Sequence, residues 1–444
     1  MRLSWRDLGT PRADRAYGKT VEIVGWPATA LPTKAADYFL LTSEPNCCAG
    51  CLPANPLAVL EVFADRALEF PGGSMRLSGT LVVLEDDPVG WRYQLRGARV
   101  TGSITRRKLL AASPLVCLPV PAMAQATGPT VDIHSHGGSV LYVYSQAGNY
   151  SFTPLAEPMR QGGMAVICLA AVSDSPTIVL TGGRLRPSRE GRPGEFYAHT
   201  QRAFERLHRL VREQGLGIIT DAASLRAARP ERPSVIVSVE GGDFLEGMPE
   251  RVDEARARWQ LRHLQLTHYR PNELGDIQTE PAVHGGLTPA GADVIRRCNA
   301  LGVVVDVAHG TYDLVKAAAK VATKPLVLSH TSLTQRPAPW TRLITPDHAK
   351  AVASTGGVIG IWPLIELFPT YQAYAGAFAR MVDFVGIDHV GLGTDQMGLV
   401  GGSTLPSYAE LPQLAAALRA KFTAEETAKL LGGNYQRVFE ACIG

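Results

Sequence analysis

The sequence predicts an α/β chain in which a (β/α)8 TIM barrel over residues 127–444 follows a small β-rich N-terminal domain over residues 1–100, with a segment of different character at 101–126. Three observations carry that reading. After residue 127, apolar β-branched runs of five to seven residues return eight times with helical stretches between them, and such alternation describes a parallel sheet covered on both faces. Before residue 100 the β-rich runs are short and punctuated by Gly, Pro and Asp-Asp-Pro turns. The 444 residues are 45% hydrophobic and 19% charged, which is ample apolar material for cores and excludes a wholly disordered chain.

In the first hundred residues, Thr20–Val24, Tyr38–Thr42, Ala58–Phe63, Met75–Leu84 and Trp91–Leu95 read as strands of a compact barrel or meander. Its one chemical feature is Cys47-Cys48-x-x-Cys51. Thiolates this close can share a soft metal or form a redox pair, but no second Cys or His pair lies nearby to complete a tetrahedral site, so free or structural thiols are the competing reading. The seven cysteines of the whole chain are too few and too irregular for a disulfide scaffold. Residues 1–100 carry 11 basic and 11 acidic side chains and residues 127–444 carry 30 of each, so the net charge of +3 is that of Arg106, Arg107 and Lys108. That distribution argues against nucleic acid as a partner, because no folded domain carries a basic excess. No apolar run reaches the ~18–20 residues of a membrane span.

Residues 103–126, SITRRKLLAASPLVCLPVPAMAQA, run from a twin arginine through an apolar stretch to Ala-Met-Ala-Gln-Ala. That order is the order of a bacterial export signal of the twin-arginine kind, placed about a hundred residues late. A start near Val100 would explain the placement, as would a genuine two-domain fusion; a Pro-containing interdomain linker is the alternative. Pro114, Pro119 and Pro121 would break a helix there, and Cys117 follows Leu115-Val116, a poor context for lipid attachment. With export the barrel works in the periplasm or outside the cell, and otherwise in the cytoplasm.

The barrel strands are predicted at Thr130–His134, Met164–Ala170, Ser234–Glu240, His263–His268, Val303–His309, Leu326–His330, Val358–Trp362 and His389–Asp395, with helices at Tyr197–Gln214, Gly291–Leu301, Tyr312–Val321, Pro346–Ser354 and Tyr371–Phe384. In this fold chemistry sits at the carboxyl ends of the strands, and six of the eight runs end in His, Glu or Asp. His134 and His136 stand two apart on one strand and so project to one face. With Glu240, His309 and His330 at other strand ends they make five nitrogen and oxygen ligands at one rim, a set suited to zinc, with the carboxylate able to bridge two ions. Such a pair of ions would acidify a shared water and polarise a substrate carbonyl.

The stretches Asp132–His134, Met159–Gly163, Ser238–Gly242, Leu264–His268, Gly286–Gly291, Leu301–His309, Leu328–Ser332, Val385–Asp395 and Leu431–Arg437, taken in this order, resemble the membrane (renal) dipeptidase family, the M19 metallopeptidases. The resemblance covers about residues 130–442 and implies a metal-dependent hydrolase barrel that cleaves the amide bond of dipeptides, including those with a D-residue at the carboxyl end, through water held between two zinc ions per chain. It implies that His134 binds the first zinc, that Glu240 bridges, and that His309 and His330 bind the second. It further implies that His268 stabilises the developing oxyanion, that Asp395 moves the proton to the leaving amine, and that Arg342, before Ile344–Asp347, pairs with the substrate's free carboxylate. A homodimer is implied by the same analogy.

One position departs from the family pattern. Two residues after the first ligand histidine the family carries Asp, and this chain carries His136. The change removes an anionic ligand and predicts weaker binding of one ion or a more acidic bridging water, while imidazole still serves as a zinc ligand. Two alternatives follow: a degraded barrel that binds a peptide-like ligand without turnover, and another amidohydrolase chemistry on a lactone or an N-acyl amino acid. A binder without turnover would have no need of both His268 and Asp395.

Overall fold

Alternation of apolar and polar side chains folds the beginning of the chain. In β1 (Thr20–Ala28) and β4 (Ser74–Val83) every second residue is buried, the period of a strand with one face on a core. These strands pair with each other, and β2 (Ala35–Thr42), β3 (Val59–Glu69) and β5 (Tyr93–Ile104) complete a closed barrel in the order β1-β2-β3-β5-β4. All pairings are antiparallel except β3 with β5, the arrangement of a small Greek-key barrel. Ile23, Phe39, Leu41, Leu60, Met75 and Leu77 fill it, and Leu3 and Leu8 of the N-terminal segment join the same core.

This description comes from a computed structural model that describes residues 1–28, 35–43, 56–70, 74–83, 93–104, 128–140, 152–181, 184–334, 340–399 and 402–444. The chain divides into two units, Met1–Ala122 and Met123–Gly444. The Cys47, Cys48 and Cys51 motif, Cys117 and nearly all of the export-signal-like segment lie outside the described residues.

In the second unit, strands buried on both faces close a parallel ring. They are β6 (Val131–Ser135), β7 (Val166–Val172), β11 (Ser234–Glu240), β12 (His263–Gln265), β13 (Val304–Asp306), β14 (Val327–Thr331), β15 (Val358–Ile361) and β16 (Val390–Leu392). Pairing runs through them in that order, and β16 returns to β6 through Leu392 and Asp132. This is the predicted eight-stranded parallel barrel with helices. A hairpin of β8 (Ile178–Thr181) and β9 (Arg184–Pro187) follows β7, and the short β10 (Gly217–Ile218) pairs beside β11.

The intervening helices begin where their caps dictate. Thr288 and Thr345, each followed by Pro, accept hydrogen bonds from the backbone N–H groups of Gly291 and His348, so Pro289–Leu301 and Pro346–Ala353 start on Thr-Pro pairs. Cys168, Ile236, Val304, Val327 and Val358, from five different strands, share one buried cluster with Tyr435 and Phe439 of the last helix, Asn434–Ile443. Side chains from strands that are not neighbours thus pack together with the last helix, which makes the ring a filled core rather than a pore.

Candidate metal centre

Barrel closure brings the strand-end residues of the sequence reading together. His134 and His136 leave the end of β6, Glu240 ends β11, His309 follows β13 and His330 lies on β14. All five are nearly inaccessible to solvent. The Glu240 carboxylate occupies the centre. Its Oε1 lies 3.2 Å from His309 Nε2, 3.5 Å from His330 Nε2 and 3.5 Å from His134 Nε2, and its Oε2 lies 3.1 Å from His136 Nε2 and 3.3 Å from His268 Nε2. Asp395 Oδ1 is 3.5 Å from His136 Nε2 and 3.9 Å from His134 Nε2. Three sets of possible ligands result, each with its atoms within 4.8 Å of one another: His134 with His136 and Glu240, His134 with His330 and Asp395, and Glu240 with His309 and His330.

The donor chemistry fits a cation. Nε2 atoms face each other at 3.1 Å in the pair His134–His136 and again in the pair His309–His330. His136 Nδ1 meets the carbonyl of Ala170 at 2.9 Å; the carbonyl can only accept, so the proton sits on Nδ1 and the Nε2 lone pair turns inward, as in a metal-binding imidazole. His330 Nδ1 is engaged with Ser329 Oγ at 2.8 Å. Burial, together with the Arg342 charge, holds His309 and His330 well below the usual imidazole range and so neutral. Burial alone would raise the Glu240 carboxyl, but the imidazoles of His268, His134 and His136 outweigh it and keep the group ionised. His309 and His330 are thus neutral imidazoles beside an ionised carboxylate, the states that hold zinc. Burial lowers the pKa of His134, but Glu240 and Asp395 outweigh it and raise it, so a cation bound there would displace its proton.

Backbone geometry contributes as well. His309 at φ 67° and Asp395 at φ 49° are both left-handed, a conformation that costs of order 1–3 kcal/mol in a non-glycine residue and is concentrated at functional sites. The turn after Asp395 tolerates no side chain at Gly398, where a Cβ would overlap Asp395 Oδ1 and the His136 ring. Asp132, two residues before His134, accepts from Thr394 N at 2.8 Å and from Tyr408 Oη at 2.6 Å, and so ties β6 to the segment that carries Asp395.

His268 stands beside the cluster, its Nδ1 2.7 Å from Asp174 Oδ1. Burial would lower its pKa, but the carboxylates of Asp174 and Glu240 raise it to about 9. Arg342 is buried against Trp362, its guanidinium carbon 5.4 Å from the ring centre. Its Nη1 donates to Gln278 Oε1 at 2.8 Å and its Nη2 to the His330 carbonyl at 3.3 Å, and among the described residues its Nε has no partner. Every candidate residue of the barrel is thus gathered at one place. Sequence reasoning passed over Asp174, Ser329 and Gln278. Asp174 had a signal, since it lies two residues beyond the end of β7, where the strand-end rule looks for function; Ser329 and Gln278 act on neighbours that no spacing reveals.

The sequence profile of the membrane dipeptidase family, peptidase family M19, matches residues 158–442. The chain belongs to that family. Its members are zinc-dependent metallopeptidases, and the buried His, Glu and Asp groups described above are consistent with their metal sites. Among curated relatives, dipeptidase aclJ of Aspergillus oryzae is 29% identical over 192 residues, 40% of this chain and 44% of that protein. Dipeptidase verJ of Clonostachys rogersoniana is 26% identical over 255 residues, 54% of this chain and 64% of that protein. The chain therefore spans about half to two thirds of the length of these relatives. Among solved structures, the M19 metallopeptidase dipeptidase AC superposes with a TM-score of 0.60 at 21% identity, covering 72% of this chain and 99% of that one. A Rhodobacter sphaeroides metallopeptidase liganded with a phosphinate mimic of the dipeptide L-Ala-D-Ala gives 0.58 at 20% identity, covering 71% and 99%. At these identities the structures speak for the fold of this M19 barrel. Among the described residues no helix is long and apolar enough to cross a membrane.

Proposed function

We propose that the chain is a zinc-dependent dipeptidase with two metal positions that share Glu240. The observation that carries this is the central place of one carboxylate: Oε2 faces His136, Oε1 faces His309 and His330, and His134 stands 3.5 Å from Oε1. His134, His136 and Glu240 would hold one ion and Glu240, His309 and His330 the other. When bound, zinc supplies Lewis acidity, which acidifies water and polarises an amide carbonyl.

The rest falls to the side chains. Arg342, with an unpartnered Nε in a buried guanidinium, receives the free carboxylate of a small peptide and sets the scissile amide against the cluster. His268, kept cationic by Asp174 and Glu240, donates Nε2–H to the amide oxygen as negative charge develops there. Burial raises the Asp395 carboxyl above its ordinary range against the pull of His136 and His134, so Asp395 can hold a proton and release it to the leaving amine. We read residues 103–126 as an export signal that places the barrel outside the cytoplasm, which N-terminal sequencing of secreted material tests.

The function is tested by zinc analysis and by hydrolysis of a small panel of L,L- and L,D-dipeptides before and after chelation. The expected result is up to two zincs per chain and turnover that chelation abolishes and zinc restores. Fewer than one zinc per chain with no turnover of any amide rejects the proposal.

A further inference from the structure

Tyrosines in the interior of the eight-stranded barrel unit satisfy their hydroxyls. Tyr374 donates to the Ile361 carbonyl at 2.6 Å, Tyr408 to Asp132 Oδ2 at 2.6 Å, and Tyr435 engages His263 Nδ1 at 2.8 Å. This is the usual condition of a buried phenol. Tyr269 departs from it. Its backbone N–H donates to Asp174 Oδ2 at 2.9 Å, so one carboxylate clamps both Tyr269 and His268. Its half-buried ring stands edge-on to the imidazoles of His268, at 4.4 Å and 62°, and of His309, at 4.9 Å and 88°. Among the described residues its hydroxyl meets no hydrogen-bond partner.

Tyr269 and Arg342 flank the same two histidines: the Tyr269 ring packs on His309, while Arg342 donates to the His330 carbonyl and to Gln278, whose backbone N–H donates to the His309 carbonyl at 2.8 Å. Arg342 in turn has Nη1 on Gln278 and Nη2 on a carbonyl, which leaves Nε without a partner. A phenol and a guanidinium N–H, neither with a partner among the described residues, therefore flank the candidate metal cluster, and donors without acceptors of their own suit an anion that arrives with the ligand. We propose that Tyr269 is a substrate-contacting residue whose hydroxyl donates, together with Arg342, to the terminal carboxylate of the peptide. The inference rests on the dipeptidase reading and deepens it, because it makes a free carboxyl end a requirement set by two residues. The amide oxygen is the less suitable acceptor, since His268 Nε2 already points to the side of Glu240 where that oxygen would sit.

The test is Tyr269→Phe, which keeps the ring packing, made in the full chain and first shown to carry the same zinc content as the parent. Each protein is titrated with a phosphinate Ala-Ala mimic bearing a free carboxylate and with the carboxamide of the same mimic, and kinetics are measured on the corresponding dipeptide. The expected result is a Kd for the acid and a KM weaker by about tenfold, the worth of a hydrogen bond to a charged group, with a smaller change in kcat and no change in affinity for the carboxamide. In a double variant with Arg342→Lys, the two losses should combine less than additively, because both act on one carboxylate. Equal losses on acid and carboxamide, a fall in kcat at constant KM, or no loss on either would overturn the role of Tyr269 while leaving the dipeptidase intact. A parent protein that binds neither mimic and cleaves no dipeptide would remove both the function and this inference.

Discussion

The five-stranded barrel of residues 20–104 and the eight-stranded barrel of residues 131–392 both eliminate free strand edges by closing on themselves, yet they bury different chemistry. In the first, strands alternate, apolar side chains point inward, and a buried polar pair of side chains, Gln94 with Glu61, is joined at 2.9 Å. In the second, the strands are buried along both faces, and one end gathers His134, His136, His268, His309, His330, Glu240 and Asp395, all buried. Burying ionisable groups costs several kcal/mol each unless partners compensate. A core assembled for stability alone would resemble the first barrel. On the dipeptidase reading, bound ions compensate that polar end, so the second barrel should depend on metal where the first does not.

The sharpest way to break that contrast is Glu240→Gln, which removes the ligand common to both metal sets. Activity should fall by at least about a thousandfold, with zinc content by elemental analysis below one per chain; retained zinc and turnover would refute the shared-carboxylate geometry. Next in size is a packing lesion on the other side of the comparison. Leu60→Ala, at a fully buried position of the small barrel, should destabilise that barrel by about 2–5 kcal/mol, read by denaturant unfolding, while zinc content is unchanged. Chelation should do the converse: hydrogen exchange should quicken around β11, β13 and β14, stay as it was in β1 to β5, and recover when zinc is returned. Equal exchange changes in both barrels would contradict the division.

Smaller effects sharpen the picture within the site. Arg342→Met should raise KM for a dipeptide by about ten- to a hundredfold with less effect on kcat, as expected for loss of a charge-assisted carboxylate contact. His136→Asp should tighten the ion held by His134, residue 136 and Glu240 a few-fold by adding an anionic ligand, measured by competition with a zinc chelator; unchanged affinity and stoichiometry would show that the histidine is no handicap.

Much of this was legible in the sequence because it depends on local pattern. All eight barrel strands lie where apolar runs predicted them, and the helices predicted at Tyr312–Val321 and Gly291–Leu301 form at Tyr312–Val321 and Pro289–Leu301. His134 and His136 were readable as a pair since alternate residues of a strand share a face. Asp174 was legible only as a residue just beyond a strand end, and Gln278 not at all, because their roles come from what they hold, His268 in one case and Arg342 in the other, across 94 and 64 residues of chain. The left-handed backbone at His309 and Asp395 had no signal either, since neither residue is a glycine.

The chain's sequence by itself determined the rhythm of strands and helices, the small barrel ahead of the large one, and the kinds of side chain that end each strand, because periodicity and residue type are properties of short segments. Only the tertiary structure decided which oxygen of Glu240 faces which imidazoles, and that Tyr269 packs on His309 while Arg342 reaches the carbonyl of His330. Those relations depend on ring closure and strand register, where a shift of one residue turns a side chain to the opposite face.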